Sequence, residues 1–448
     1  MSASGERSSL RRDTGKTLAG NLSVTGLQAA QFIMLARLLG ASEFGRLSAV
    51  NAMLVIAGPL SDLGFSNLLV MRCAVDRKAA PREVSNALVV TSVVGGALVG
   101  VLMLAVSLIY GQHVGYRLML LLGVAELVGF RCVNVCAQFH LAFDRFGTWS
   151  ALTALASVCR VAALAIPWLL PAWGAEGWAI AVAGLATILL LVAVGDVRRR
   201  LGRFDFSLRH TWLSLREAIH FSLGTSARGV YTDLDKVMLG AYGTPVELGA
   251  YTSAYRLVAM AFIPVKSLLQ ASVGRYFRAG TTGIKGTVLV TRQLLRYSVP
   301  YSVVGAIGLY AVAPIVPVLL GHSFAHAVPV VRALAVLPII QSLQYVYSDA
   351  LTGAGHQAVR TRLQFLVVAF YAALGLFLIP RYHWVGAVIT CIAGEGLLAL
   401  MMVTIVRLLG RQASTDRATV IASSLEPENP AGRSWPAPPP PANPGTSA

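Results

Sequence analysis

Apolar stretches of about 20 residues, long enough to cross a bilayer as a helix, recur along most of this chain. Twelve are read, at roughly 16–40, 47–71, 84–110, 116–140, 148–170, 178–196, 217–241, 247–274, 293–320, 329–352, 361–380 and 384–407. The pattern predicts an all-α polytopic membrane protein. The longest connection between spans, RRRLGRFDFSLRHTWLSLR, falls mid-chain. Its aromatics and arginines suit a segment lying on an anionic leaflet, or a solvated basic connector. After Gly410 the chain turns polar and then Pro-rich, a composition that cannot bury a core. The predicted organisation is an N-terminal tail (1–15), a first helical lobe (16–197), a basic linker (198–216), a second lobe (217–408) and a disordered tail (409–448).

Composition agrees. Of 448 residues, 56% are hydrophobic and only 13% charged, against about 25% in soluble domains. The net charge of +17 would suggest nucleic acid in a soluble protein. Here the charge follows the loops. Alternate loops and the two tails hold 25 Lys and Arg, and the intervening loops only Arg46, Arg117 and Arg381. The positive-inside rule then predicts an even number of spans with both termini cytoplasmic. The basic N-terminus is read with its first apolar segment as a retained helix, not a signal peptide.

The opposite loops (AWGAEG, AYGTPVEL, GHSFAHA) are too short for an external catalytic domain. The five cysteines have no metal-ligand spacing and imply no disulfide framework. No nucleotide loop or nucleophile constellation is present. The expectation is no enzymatic activity, no catalytic or metal-binding residues, no cofactor and no nucleic-acid partner.

The two halves resemble each other. LARLLGASEFGRLSAV, between spans 1 and 2, matches DKVMLGAYGTPVELGAYTSA, between spans 7 and 8. Each is predicted to end a helix at Leu-Gly (Leu39-Gly40, Leu239-Gly240) and to reopen one through Glu-x-Gly (Glu43 to Gly45, Glu247 to Gly249). Pro59 and Pro264 follow fourteen and fifteen residues after those glycines, where each kinks its helix. GAEGWAIAVAG also matches WVGAVITCIAG, and the stretch 147–167 matches 355–380. Matches recurring in one order argue for two six-helix lobes formed by a parallel repeat, with a substrate path between them.

Polar residues then form stripes on the expected inner walls. Asn21, Thr25, Gln28 and Gln31 share a face of helix 1, and Thr225, Arg228, Thr232 and Asp235 a face of helix 7. Thr252, Arg256, Lys266 and Gln270 lie on one broad face of helix 8. Charges at membrane depth turn to protein or water, not lipid. Asn21 and Gln28 equally suit plain helix–helix hydrogen bonds. Arg37 and Lys236 stand near helix ends and can snorkel. Arg228 and Asp235, seven apart, suit a structural ion pair, whereas Arg256 and Lys266 are expected in a cavity. Asp62 is a candidate for proton or cation coupling, or for pairing with Lys266. Outside the stripes, Glu126 and Arg131 are badly spaced for each other, so a structural pair between Glu126 and Arg160 is expected, with Glu395 nearby in kind. Asp349 is expected to cap or pair locally.

LARLLGASEFG, PLSDLGFSNLL and DKVMLGAYGTPVELGAYTSAYRL resemble the polysaccharide transporter family, over about residues 14–410. It holds the O-antigen and exopolysaccharide repeat-unit flippases. Its superfamily also includes multidrug-and-toxin extruders and lipid II flippases. The resemblance implies a two-lobed, extruder-like bundle in the bacterial cytoplasmic membrane. It implies a cationic central cavity that flips polyprenyl-diphosphate-linked glycan, with polysaccharide polymerase and chain-length or export machinery as partners. Arg37, Asp235 and Lys236 match the family motifs. Arg228, Arg256, Lys266, Gln28 and Gln31 join them as substrate-binding candidates on helix faces alone, with Asp62, Pro59 and Pro264 as coupling or gating candidates. Proton or sodium coupling stays open. The rivals are a cation-coupled drug extruder, a lipid II flippase and a lipid-linked glycan polymerase or ligase. The basic inner faces, the absence of extra spans and the short outer loops count against them in turn.

Overall fold

The computed structural model describes the backbone of residues 3–110 and 115–425, and the side chains of residues 26–110, 115–219 and 232–412. Every regular element among them is helical. In α1 (Ala3–Ser61) two helices meet at Gly40, at φ 69° and ψ 172°, a conformation open to a residue without Cβ. The next break follows Pro59 closely. Leu63 (φ 46°) and Gly64 (φ 84°) turn the chain, and Asp62 accepts a hydrogen bond from the Gly64 amide at 3.1 Å before α2 (Phe65–Val75) begins. The first half continues through α3 (Ala80–Ile109), α4 (Tyr116–Gly123), α5 (Phe130–Ala142), α6 (Phe146–Ala162), α7 (Ala165–Leu169) and α8 (Gly174–Leu201). One π-helical segment, Val124–Gly129, joins α4 to α5.

The second half holds α9 (Leu208–Tyr242), α10 (Pro245–Ala261), α11 (Ile263–Gly280), α12 (Ile284–Val312), α13 (Val316–Leu320), α14 (Ala327–Leu334), α15 (Leu337–Gly353) and α16 (Gln357–Leu425). The α10 and α11 axes are bent by 49°, with Pro264 in the first turn of α11. Eight helical stretches of the described residues, or nine with this bent pair, are long and apolar enough to cross a membrane. Two of them, Gly26–Val75 and Gln357–Gln412, run to 50 and 56 residues. They divide at Gly40 and at His383 (φ 48°). Both breaks fall at predicted corners, and they accord with an expected count of twelve spans. The seventh predicted span lies largely where side chains are not described.

Three expectations change. The second corner does not fall at Leu239-Gly240. α9 runs on to Tyr242 because the next start is fixed elsewhere: Thr244 and Glu247 form a reciprocal capping box with Pro245 at the first helical position. Gly240 instead gives room to Tyr110, whose ring carbon would lie 2.8 Å from a Cβ there. The basic linker is short, because α8 ends at Leu201 and Ser207 caps α9 through the His210 amide. Around it Phe206, Leu208, Trp212 and Leu213 are exposed beside the arginines, the make-up of an interfacial segment. The tail expected from residue 409 starts as helix to Leu425; its Pro-rich part lies outside the described residues.

One apolar core runs through the first half and into α9, α10, α13 and α14. A smaller core, with Phe262, Tyr276, Val346 and Met402, sits apart in α11, α12, α15 and α16. At the basic face Arg72 of α2 donates to Ser214 and Glu217 of α9, while toward the face opposite the basic loops the halves are knitted together by backbone contact. There Gly45 and Gly249 cross. A Cβ on Gly45 would strike the Pro245 carbonyl, and one on Gly249 the Ala41 carbonyl. Around this crossing the Ala41 amide donates to Ser323 Oγ at 3.2 Å, Phe44 meets Phe324 at 5.9 Å between centroids, and Tyr110 donates to the Val237 carbonyl at 3.0 Å.

A candidate substrate cavity between the halves

Below this seal lies a cavity of about 340 Å³. α1 supplies most of its wall: Gln28, Gln31 and Phe32 before the Gly40 break, and Ser48 and Asn51 after it. These polar positions follow helical spacing, so the break folds two polar stripes of one chain segment against one space. α10 contributes Arg256 from the other half. Its guanidinium carbon lies 5.4 Å from the Phe32 ring centroid, and no carboxylate pairs with it among the described residues.

The far wall is a charge pair. Arg160 of α6 donates from Nε to Glu126 Oε1 at 2.8 Å and from Nη2 to Oε2 at 2.7 Å. The two parallel bonds form the strong, planar arrangement of guanidinium and carboxylate. Arg160 also stacks on Phe130, 3.8 Å from its centroid, and Trp178 donates to its carbonyl at 3.1 Å. Glu126 sits on the π segment, whose wider turn re-aims a side chain relative to a regular helix. The expected Glu126–Arg160 pair is therefore present, but it lines the cavity instead of lying apart from it. One turn beyond Leu54 of the lining, the Arg131 guanidinium packs on Gly58, where a Cβ would collide with it. The lining charges sum to one positive, from Arg256, with Arg131 close by.

The other candidates take different places. Asp235 and Lys236 are 0% and 5% exposed. Lys236 does not snorkel: its Nζ lies 2.9 Å from Asp233 and 3.5 Å from Asp235, and 4.1 Å from the Tyr255 ring centroid. Tyr251 donates to the Asp235 carboxylate. Burial in the second half makes this pairing necessary, since an isolated charge there is too costly. Arg37 is exposed and donates at 2.7 Å to the carbonyls of Leu319 and Val318 at the end of α13, joining the halves at the seal. Lys266 stands exposed on α11, away from the cavity lining. Asp62 is buried at its own helix break. The Arg228 side chain lies outside the described residues, and with it the Arg228–Asp235 pair.

Sequence reading missed Asn51, Ser48, Ser157 and the role of Glu126 and Arg160 as lining. Their signal was present in part. Ser48 and Asn51 share a helical face, and two charges at membrane depth on helices 4 and 5 ask for an interior.

A family model described as polysaccharide biosynthesis protein matches residues 10–277. The chain belongs to this family. Among curated proteins none matches it. Among solved structures, the lipid II flippase MurJ in an inward closed conformation aligns with TM-score 0.72 at 12% identity, covering 87% of each chain. An inward-facing multidrug resistance transporter of the MATE family aligns with TM-score 0.68 at 15% identity, over 88% of this chain and 96% of that one. An outward-facing form of a MATE family transporter gives 0.60 at 14% identity, over 88% and 95%. At these identities the likeness is one of fold.

Proposed function

We propose that this family member is a flippase that carries polyprenyl-diphosphate-linked oligosaccharide repeat units across the bacterial cytoplasmic membrane by alternating access, for surface polysaccharide synthesis. The observation that carries the reading is Arg256, a cation with no salt-bridged carboxylate among the described residues, facing a polar cavity closed at one face. A diphosphate is a dianion and is met best by guanidinium groups. Gln28, Gln31, Asn51 and Ser48 suit sugar hydroxyls, while the polyprenyl chain stays in lipid. In this reading the basic face is cytoplasmic. The diphosphate competes with Glu126 for Arg160 and engages Arg256 from the second half. Lys266, exposed on α11, adds a cation on the second half outside the cavity lining. Asp62 is the candidate for ion coupling, and Pro59 and Pro264 lie at the breaks about which the helices of the two halves rearrange.

The reading is tested in cells deleted for the gene and complemented with Arg256→Ala or Lys266→Ala. The expected outcome is loss of surface glycan, accumulation of lipid-linked units in the inner leaflet and unchanged protein level. Full surface glycan in both variants would sink it, as would glycan polymerisation by the purified protein supplied with lipid-linked units alone. A cation-coupled extruder of the same fold is the second reading, and the MATE likeness favours it. It predicts drug sensitivity on deletion and unaltered surface glycan.

A further inference from the structure

The start of α9 is fastened to the first half through one arginine. Arg72, in the last turn of α2, donates from Nη1 to Ser214 Oγ at 2.7 Å and from Nη2 to Glu217 Oε2 at 2.8 Å. His210 Nε2 stands 2.9 Å from Arg72 Nη1 and 2.7 Å from Glu83 Oε1 of α3. His210, Ser214 and Glu217 follow helical spacing, so one face of α9 seats on this guanidinium. Nearby, the Ser207 amide donates to Asn86 Oδ1 at 3.1 Å, and Arg82 pairs with Asp205 at 2.9 Å. Toward its other end the same helix belongs to the second half, where Asp235 accepts from Tyr251 of α10. The backbone of α9 runs unbroken between these ends, so one helix ties the two halves together.

The contact is built to part. Arg72 also donates to Glu83 at 3.1 Å, and Glu83 is buried. That pair lies wholly within the first half, so neither charge is stranded when α9 leaves. What α9 brings is small or already wet. Of residues 208–219 only Ser214 and Ala218 are buried, and the Glu217 side chain is 46% exposed. We propose that Arg72 is the clasp of an inner gate. While α9 rests on it the basic end stays closed, and when α9 leaves it the cavity between the halves opens toward the basic loops. This gate rests on the alternating access proposed above, whatever molecule is carried.

A cysteine placed at Gln31, in the cavity lining, is labelled in oriented vesicles by a membrane-impermeant thiol reagent from the side of the basic loops. Labelling of the chain without that cysteine is subtracted. Ser214→Ala with Glu217→Gln weakens the hold on α9 and leaves the Arg72–Glu83 pair in place. The labelling rate is expected to rise roughly ten-fold, the scale of one charged hydrogen bond lost. Arg72→Gln, which also strands Glu83, is run beside it and should change the rate in the same direction. Arg82→Gln breaks only an exposed pair and should leave the rate unchanged. A short bifunctional thiol reagent joining Arg82→Cys to Asp205→Cys should lower it. Unchanged labelling in the Ser214→Ala, Glu217→Gln variant would overturn the clasp and leave alternating access standing. So would an equal rise in Arg82→Gln. Labelling of the Gln31 position from neither face in any variant would overturn both.

Discussion

Glu126 and Arg160 show how much one pair can decide. Their two hydrogen bonds keep two charges in an interior that would otherwise reject them. Glu126→Ala removes the acceptor and strands Arg160. It is expected to cost about 2 kcal/mol, the scale of a charged hydrogen bond lost from a partly buried site, read as a lower melting temperature in detergent. Glu126→Gln keeps an acceptor and should cost less. In the second half, Tyr251→Phe takes the hydroxyl donor from Asp235. About 1–3 kcal/mol is expected from the under-satisfied buried carboxylate, checked in the same way. The need for such partners was legible in the sequence, because charges at membrane depth must be paired or face water. Which partner each would find was not. Lys236 looked free to snorkel near a helix end, yet it is neutralised by Asp233 and Asp235, because α10 and α16 close over it.

At the scale of elements, breaks matter more than helices. Gly40, the turn at Leu63 and Gly64, the α10–α11 bend and His383 set where spans begin and end. Pro59 and Pro264 announced two of them in the sequence. Pro380, three residues before His383, marked a third. The glycines of the repeated Glu-x-Gly corners have a plain steric role. Gly45 and Gly249 let two backbones touch, as small residues do between membrane helices. Gly249→Leu is expected to cost the sealed form about 1–3 kcal/mol through overpacking. That moves the balance toward the open form by roughly 5- to 150-fold. Labelling of a cysteine placed at Gln31 by a membrane-impermeant thiol reagent, from the face of the seal, should rise accordingly.

For the whole molecule, the repeat and the seal belong together. Ala41 to Gly45 and Pro245 to Gly249 occupy matching places in the two halves, and each glycine meets the backbone of the other segment. That reciprocity is what a two-fold relation between halves produces. The proposed alternating access requires this crossing to part. Ala41→Cys with Ser323→Cys places two thiols on neighbouring positions of the seal, whose segments the Ala41 amide and Ser323 Oγ now join at 3.2 Å. Oxidation should arrest surface glycan production, and a reductant should restore it. Undiminished production with the cross-link formed would show that the seal does not open during transport.

The sequence by itself determined the class of molecule, its helical make-up, the two matching corners and the presence of cations at membrane depth. Apolar length, charge alternation and proline are local properties, and each is read one segment at a time. The tertiary structure decided which of those charges share a space. Gln28, Gln31 and Arg256 meet in one cavity, together with Glu126 and Arg160, whereas Asp235 and Lys236 retire into the second half and Arg37 joins the seal. A helical stripe fixes the direction of a side chain about its own axis. It does not fix which other helix that direction meets, because this depends on breaks and close glycine contacts between segments some 200 positions apart, such as Gly45 and Gly249.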